Sequence, residues 1–163
     1  MIEIRPLQKS DRKQLMKLLV DFLKYNQRGK IVSKKLSPLI RYKDYDKHLR
    51  EDHAKIYMKL DSRKAAIFVA EDNKELIGYI YGRIVSKPKM ILDKIGIVED
   101  WFVEEKYSGK GIGEMLWNRL IDWFRKKGCN CLELDVYTTN KHAIEIYHGM
   151  GFIDKALVMR KKL

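Results

Sequence analysis

The sequence predicts an α/β fold in the element order β-α-α-β-β-β-α-β-α-β. Three observations carry this prediction. Short β-rich runs at Ala65 to Glu71, Leu76 to Ser86 and Lys94 to Glu104 follow one another, separated by turn residues. Two segments, at 10–26 and 114–127, place their apolar residues on one helical face. Between the third run and the second of these helices lies a loop with glycine at every other position, Gly109, Gly111 and Gly113. At 163 residues, with no repeat, low-complexity segment or linker, the chain reads as one domain over residues 1–163.

Taken in order, Ile2 to Arg5 alternates as a short strand and stops at Pro6. Ser10 is the expected N-cap of a first helix whose stripe is Leu15, Leu18, Leu19, Phe22 and Leu23, ending at Gln27-Arg28-Gly29. Residues 30–43 are basic and irregular and read as a loop. A second helix is expected over Asp44 to Lys59, with Tyr45, Leu49, His53, Ile56, Tyr57 and Leu60 near one face. His48 and His53 stand five residues apart, on different helix faces, which is poor metal-ligand geometry, so no metal site is expected. Asp72-Asn73-Lys74-Glu75 reads as a hairpin turn. The helix after the glycine loop carries Ile112, Leu116, Leu120, Trp123 and Phe124, has basic residues in its last turn, and stops at Gly128. A strand over Cys131 to Tyr137, a short helix entered through Thr138-Thr139-Asn140, and a final strand over Phe152 to Arg160 complete the chain.

No stretch approaches the roughly 18 apolar residues of a membrane helix, and the N-terminus has no signal-peptide core, so a soluble, cytoplasmic protein with no membrane partner is expected. Cys129 and Cys131 are one residue apart, neither a CxxC pair nor a disulfide framework, and read as reduced thiols. The formal net charge is +12, with 11 Lys/Arg against 5 Asp/Glu from Lys30 to Lys64. That balance suits a polyanionic cofactor. A nucleic-acid partner is not favoured, because no aromatic stacking ladder or RNP-type motif accompanies the charge.

The strand, glycine loop and helix over residues 99–113 are the arrangement that offers backbone N–H groups and a positive helix end to a phosphate. A Walker A loop is excluded, because no Gly-Lys-Ser/Thr end follows. A dinucleotide fingerprint is disfavoured. The spacing is GxGxG, Glu114 stands where the third glycine is needed, and only 28 residues follow Asp135, the acid near the end of the next strand. The remaining reading is acyl-coenzyme A, its pyrophosphate on the N–H groups of Ser108, Gly109, Lys110, Gly111, Ile112 and Gly113. Asn140 and Tyr147, seven residues apart, share one face of the short helix, with the small Ala143 between them.

These residues resemble the GCN5-related N-acetyltransferases. The similarity lies in the strand Trp101-Phe102-Val103, the loop Ser108-Gly109-Lys110-Gly111-Ile112-Gly113, and the segment from Asn140 through Ala143 and Tyr147 to Gly151-Phe152. It is specific over residues 95–153. It implies a mixed, mostly antiparallel central sheet flanked by helices, with Trp101, Phe102, Val103, the loop, Asn140, Ala143 and Tyr147 around the cofactor. Two departures stand out: Ser108 occupies the family's Arg/Gln position, and Gly149 lies inside the last turn of a helix, where it costs about 1 kcal/mol against alanine.

The resemblance implies direct transfer of acetyl from acetyl-CoA to a primary amine, either a small molecule or a protein amine. Such an amine is almost wholly protonated at neutral pH and needs a base. Glu99 and Asp100 are the candidates; they alternate in direction along a strand, so one of them is expected to face the acceptor, with Glu99 preferred. A backbone N–H at Phe102 or Val103 is the expected oxyanion donor, provided the strand is bulged or splayed there. By the resemblance, Tyr147 protonates the leaving thiolate. The acceptor is expected against residues 20–60. Dimerisation is common in the family, with Trp117 and the final strand as candidate surfaces. The alternative reading is a non-catalytic nucleic-acid- or protein-binding module on the same fold.

Overall fold

The computed structural model describes residues 1–27, 31–40, 43–44, 47–48, 51 and 62–163. Among them, five strands form one mixed sheet in the order β1-β2-β3-β4-β5: β1 (Glu3–Pro6), β2 (Ala65–Asp72), β3 (Glu75–Ser86), β4 (Lys94–Val103) and β5 (Cys131–Leu134). The first four are antiparallel neighbours, and β5 runs parallel to β4. The helices are α1 (Arg12–Gln27), the one-turn α2 (Ser37–Ile40), α3 (Ile112–Lys126) and α4 (Lys141–Gly149). No described helix is long and apolar enough to cross a membrane.

The two amphipathic stripes explain the layers. Leu15, Leu18 and Leu19 of α1 pack on one sheet face against Ile67, Val69, Tyr79, Tyr81 and Phe102. Ile112, Leu116, Leu120, Ile121 and Phe124 of α3 pack on the other, against Phe68, Ala70, Ile77, Ile80 and Val98. Each fully buried leucine is worth about 1.5–3 kcal/mol, so these faces set where the helices sit. Their depth is set by two glycines. A Cβ on Gly82 or Gly96 would lie 2.6 or 2.7 Å from the Phe124 ring, so α3 seats its phenyl group directly on the backbone of β3 and β4. The β2–β3 hairpin closes through Asn73 and Lys74, both at positive φ (50° and 68°), the backbone of a two-residue turn whose twist matches its strands.

A buried ion network fastens β1 to α1 and β2. Arg5 binds Asp11 with two nitrogens, at 2.7 and 2.9 Å, and Glu71 through Nη2 and Nε, at 2.5 and 2.8 Å. Asp11 also accepts from the Gln8 N–H at 2.7 Å. Asp11, within a 3-10 turn that precedes α1, therefore anchors the helix entrance in place of the expected Ser10. Burial pushes the Asp11 carboxyl up, but the Arg5 hydrogen bonds, the Gln8 N–H and the guanidinium charge outweigh it and hold the carboxyl below its usual range.

Three other expectations change. Residues 31–40 are more than a polar loop: Ile31 and Val32 are buried, the Ile31 carbonyl accepts from the Thr139 hydroxyl, and Pro38 opens α2 from its second position. The expected second helix lies mostly outside the described residues; within them, Asp44 Oδ1 accepts from the Lys47 N–H at 2.9 Å, and Lys47 and His48 are helical. The expected strand over Phe152 to Arg160 forms no ladder among the described residues. The tail runs beside β5, with Lys155 Nζ 2.6 Å from Glu133, but leaves the sheet at five strands.

Asp11→Asn removes one partner of the buried pair and is expected to cost about 3–5 kcal/mol in denaturant unfolding. Because the folded Asp11 carboxyl titrates below its unfolded value of about 3.9, its contribution is complete above that pH and lost as pH falls through the folded value. Unfolding followed against pH should show an acid loss in the parent chain that the Asn variant lacks. Gly96→Ala overpacks the Phe124 seat and is expected to lower stability by about 1–3 kcal/mol in the same assay.

Candidate active site

The site begins where β4 and β5 part. Their parallel ladder joins Ile95–Val98 to Cys131–Leu134 and ends there, while β4 continues to Val103 paired with β3 alone. The expected strand to Tyr137 is thus cut short at Leu134, and Asp135, Val136 and Tyr137 turn away. At the same level the β3–β4 register slips: Tyr81 lies opposite Asp100 and Gly82 opposite Val98, which leaves Glu99 as the extra residue of a β-bulge.

The bulge changes which way side chains point. Val98 and Trp101 both pack on the α3 face, and Phe102 packs on the α1 face. The two residues between Val98 and Trp101 therefore fall together on the α1 side. Simple alternation, which would have separated Glu99 from Asp100, does not hold. Glu99 accepts from Arg83 Nε in a close ion pair. A cavity of about 100 Å³ opens here, bounded by Arg83, Glu99, Glu133 and Asp135.

The bulge and splay also redirect the backbone. The Glu104 N–H donates to the Ile77 carbonyl of β3 at 2.9 Å. N–H direction alternates along a strand, so Phe102 points the same way, while the N–H groups of Trp101 and Val103 face the gap where β5 has left. Of the two expected oxyanion donors, Val103 is on the gap side and Phe102 is not. Glu104 is tied down by Lys106 at 3.0 Å and Lys17 of α1 at 3.5 Å.

A 3-10 turn (Glu105–Tyr107) leads into the glycine loop. The Ser108 N–H donates to the Glu105 carbonyl at 3.0 Å, which removes it from the expected phosphate cradle. Gly109 and Gly111 take left-handed φ values of +75° and +76°, and a Cβ on either would meet nothing within 4 Å. Gly111 caps α3 without a side-chain hydrogen bond. Among the described residues, no recorded hydrogen bond engages the N–H groups of residues 109–114. Lys106 and Lys110 place their ammonium groups 5.0 and 5.1 Å from the centre of the Tyr107 ring; Lys106 is also paired with Glu104, and Lys110 is the cation within the loop itself. Open space, positive charge and unpaired N–H groups together fit a phosphate chain.

The other wall is α4. Asn140 caps this helix, its side-chain oxygen accepting from the Ala143 N–H at 3.3 Å, so its carbonyl has a structural task. Tyr147 is half-buried, its ring centre 6.3 Å from that of Trp101 and 5.9 Å from that of Phe152. Trp117 lies 5.0 Å from Trp101 and 6.0 Å from Phe152 by the same measure. Trp117 is buried under these rings and is not available as a dimer surface. Burial raises the Tyr147 phenol above its ordinary value of 10.0. His148 closes the helix end through Asp154 at 2.8 Å.

The structure thus gathers Trp101, Gly113 and Tyr147 on the α3 side of the gap and Glu99 and Asp100 on the other. Arg83 is the residue that sequence reasoning missed. Only the hairpin register could reveal it, and that register shifts at the bulge. Among the described residues, no group of three or more His, Cys, Asp or Glu could hold a metal ion.

A sequence profile described as the acetyltransferase (GNAT) family matches residues 33–152. The chain belongs to this family. An N-acetyltransferase of Methanocaldococcus jannaschii, itself uncharacterized, is 29% identical over 121 residues, 72% of this chain and 54% of its own length. The chain therefore spans about half of that relative. A Bacillus halodurans protein of solved structure superposes with a TM-score of 0.79 at 21% identity over 99% of both chains. An aminoglycoside N-acetyltransferase solved in complex with CoA gives 0.70 at 19% identity, over 100% of this chain and 95% of that one. At these identities the solved structures establish the shared fold, a mixed α/β GNAT sheet flanked by helices.

Two exposed glycines with open surroundings should respond oppositely to alanine. Gly111→Ala forces a side chain into left-handed backbone and is expected to cost about 1–2 kcal/mol. Gly149→Ala, at the end of α4, is expected to gain up to about 1 kcal/mol. Thermal unfolding of both variants reads the two signs.

Proposed function

We propose that this chain transfers the acetyl group of acetyl-CoA to a primary amine by direct attack. The observation that carries the reading is one of continuity along β4. The same strand presents unpaired N–H groups to the gap left by β5 and then delivers the chain into the glycine loop, whose free N–H groups open α3. A ligand lying along that path meets a phosphate cradle at one end and a hydrogen-bond donor for an acyl oxygen at the other.

Each step of acyl transfer has a candidate group. The pyrophosphate is held by the N–H groups of Gly109 to Gly113, with Lys110 adding charge. The thioester carbonyl lies in the gap, its oxygen on the Val103 N–H, which gains strength as negative charge develops. The amine nitrogen, deprotonated by the carboxylate pair Glu99 and Asp100, forms the new N–C bond. The C–S bond then breaks, and the thiolate takes the Tyr147 proton. A phenol raised by burial stays protonated through the neutral range, as that role needs. Asn140 and Ala143 line the passage along α4. The acceptor is an amine small or slender enough to reach Glu99 past Arg83, carried by a free metabolite or by a protein. The two free cysteines fit a reducing, cytoplasmic setting.

Calorimetric titration with acetyl-CoA should show saturable one-site binding, and an amine screen by free-thiol release should identify the acceptor class. No saturable binding at millimolar acetyl-CoA would overturn the reading. Tyr147→Phe is expected to lower kcat by about 100-fold or more with acetyl-CoA affinity little changed, and equal turnover would remove its acid role. Any loss of rate from Tyr147 ionisation belongs above pH 10, since burial moves the phenol upward from its ordinary 10.0.

A further inference from the structure

Across α3 from the gap at β4, the helix and β2 enclose a second hollow. Arg119, Trp123 and Lys126 stand at i, i+4 and i+7, so α3 turns all three to one side. With Ala65 and Phe68 of β2, and Ser62 just before that strand, they bound a cavity of about 410 Å³. That volume is within the range of small-molecule sites. None of the residues assigned to acetyl transfer lines it.

The chemistry of this cavity is one-sided. Its lining holds two cations, Arg119 and Lys126, and no carboxylate among the described residues. Arg119 is half-buried, with its guanidinium carbon 4.8 Å from the centre of the buried Phe68 ring. Among the described residues it makes no hydrogen bond or ion pair. A guanidinium drawn from water onto an aromatic ring, with its fork of N–H donors unspent, is suited to a carboxylate or a phosphate. Lys127 adds charge at the rim, its ammonium 5.8 Å from the centre of the Trp123 ring. Ser62 Oγ accepts from the Lys64 N–H at 3.2 Å, which leaves its hydroxyl hydrogen to donate. The backbone contributes as well. The Leu7 N–H closes β1 onto β2 at the Ile67 carbonyl, at 3.0 Å. Ala65, two residues earlier on β2, turns its N–H and carbonyl to the same side, where no described strand continues.

We propose that this cavity is a binding site for a small aromatic anion, with its carboxylate or phosphate on Arg119 and Lys126 and its ring against Trp123. Both halves of the ligand are needed. A bare inorganic anion would satisfy Arg119 but leave the indole face and most of the volume unfilled. A neutral ring would fill the volume and leave a half-buried guanidinium without an acceptor, which is costly. Arg119 can grip either anion with two nitrogens, and the flat indole supplies contact area at little entropic cost.

Phenyl phosphate and phenylacetate are the probes, added separately to the whole chain near physiological salt. NMR follows the Trp123 indole N–H and the Arg119 Nε–H, each assigned by its loss in Trp123→Phe and Arg119→Gln. Both resonances should move along one saturable curve, with a dissociation constant below about 1 mM for at least one probe. Saturation by either supports the site, and the tighter of the two identifies the preferred anion. Arg119→Gln and Lys126→Gln, read at the Trp123 indole, should each weaken binding about tenfold. Lys126 is exposed, so its variant keeps the test open should Arg119→Gln unfold. Inorganic phosphate and phenol should each bind at least about tenfold more weakly than the better probe. Absence of saturable shifts up to about 10 mM of both probes overturns the proposal. So does unchanged affinity in Lys126→Gln together with Arg119→Gln, or inorganic phosphate binding as tightly as the aromatic probes. Stoichiometric displacement of the probe by acetyl-CoA overturns it too, because the probe would then be sitting in the glycine loop.

Discussion

The extra residue at Glu99 is the constraint on which the rest of the structure depends. β4 must stay paired to β3 along its whole length and yet part from β5 after four residues. A regular strand could not do both without carrying Trp101 away from the α3 face, where it stacks on Trp117, or Phe102 away from the α1 face, where it meets Phe22 and Tyr79. One inserted residue resets the alternation between Val98 and Trp101 and strengthens the local twist that opens the gap. The result is that the N–H groups of Trp101 and Val103, on half-buried residues, face a gap without a strand to accept them. Buried unpaired N–H groups are costly, which is why folded chains rarely keep them unless a ligand or water completes the set.

The glycine loop inherits its position from the same region. α3 is seated by Phe124 on the bare backbone of Gly82 and Gly96, and Gly82 is the β3 residue at the register slip itself. Ile112 and Leu116 bury the first turn of the helix, and Trp101 lies against Gly113, where a Cβ would stand 3.4 Å from the indole. Packing therefore places the positive end of α3 beside the bulged half of β4, and the glycine loop and the gap are parts of one construction. Tyr147 is held differently. α4 buries none of its residues fully and is secured by rings, Trp101 and Phe152, and by its own cap at Asn140. Its wall of the site rests on fewer contacts than the other.

Much of this arrangement was legible in the sequence. Stripes at helical spacing located both major helices, because amphipathic faces are written in residue type. The glycine loop and the segment with Asn140, Ala143 and Tyr147 fall where the predicted element order puts them, at the entrance of α3 and on α4, because two motifs at a fixed distance constrain a fold far more than either alone. What escaped was register. Nothing in Val98-Glu99-Asp100-Trp101 announces a bulge, so Glu99 and Asp100 were expected on opposite faces, and Arg83 was not connected with Glu99 at all. The early end of β5 escaped for a related reason. Leu134 and Val136 look equally strand-like, and only the divergence of β4 decides that pairing stops at Leu134. The final strand escaped too: Phe152 to Arg160 has the residues of a strand, but among the described residues it forms no ladder although the tail passes beside β5.

At Ser108 the proposed function rests on backbone more than on side chains. The family pattern places a long polar side chain there, and in this chain the residue spends its N–H on the turn at Glu105 and presents only a hydroxyl. The donors that remain belong to residues 109–114, and they exist because Gly109 and Gly111 hold left-handed backbone that a larger residue would resist. Lys110, whose ammonium stands 5.1 Å from the centre of the Tyr107 ring, is the cation of the loop, while Lys106 is paired with Glu104. On the proposed reading, the charge thus lies at Lys110 rather than at the loop's first position, while the loop's backbone geometry stays with the glycines. On the proposed reading, replacement of Ser108 is tolerated as long as the two left-handed glycines and the start of α3 are kept.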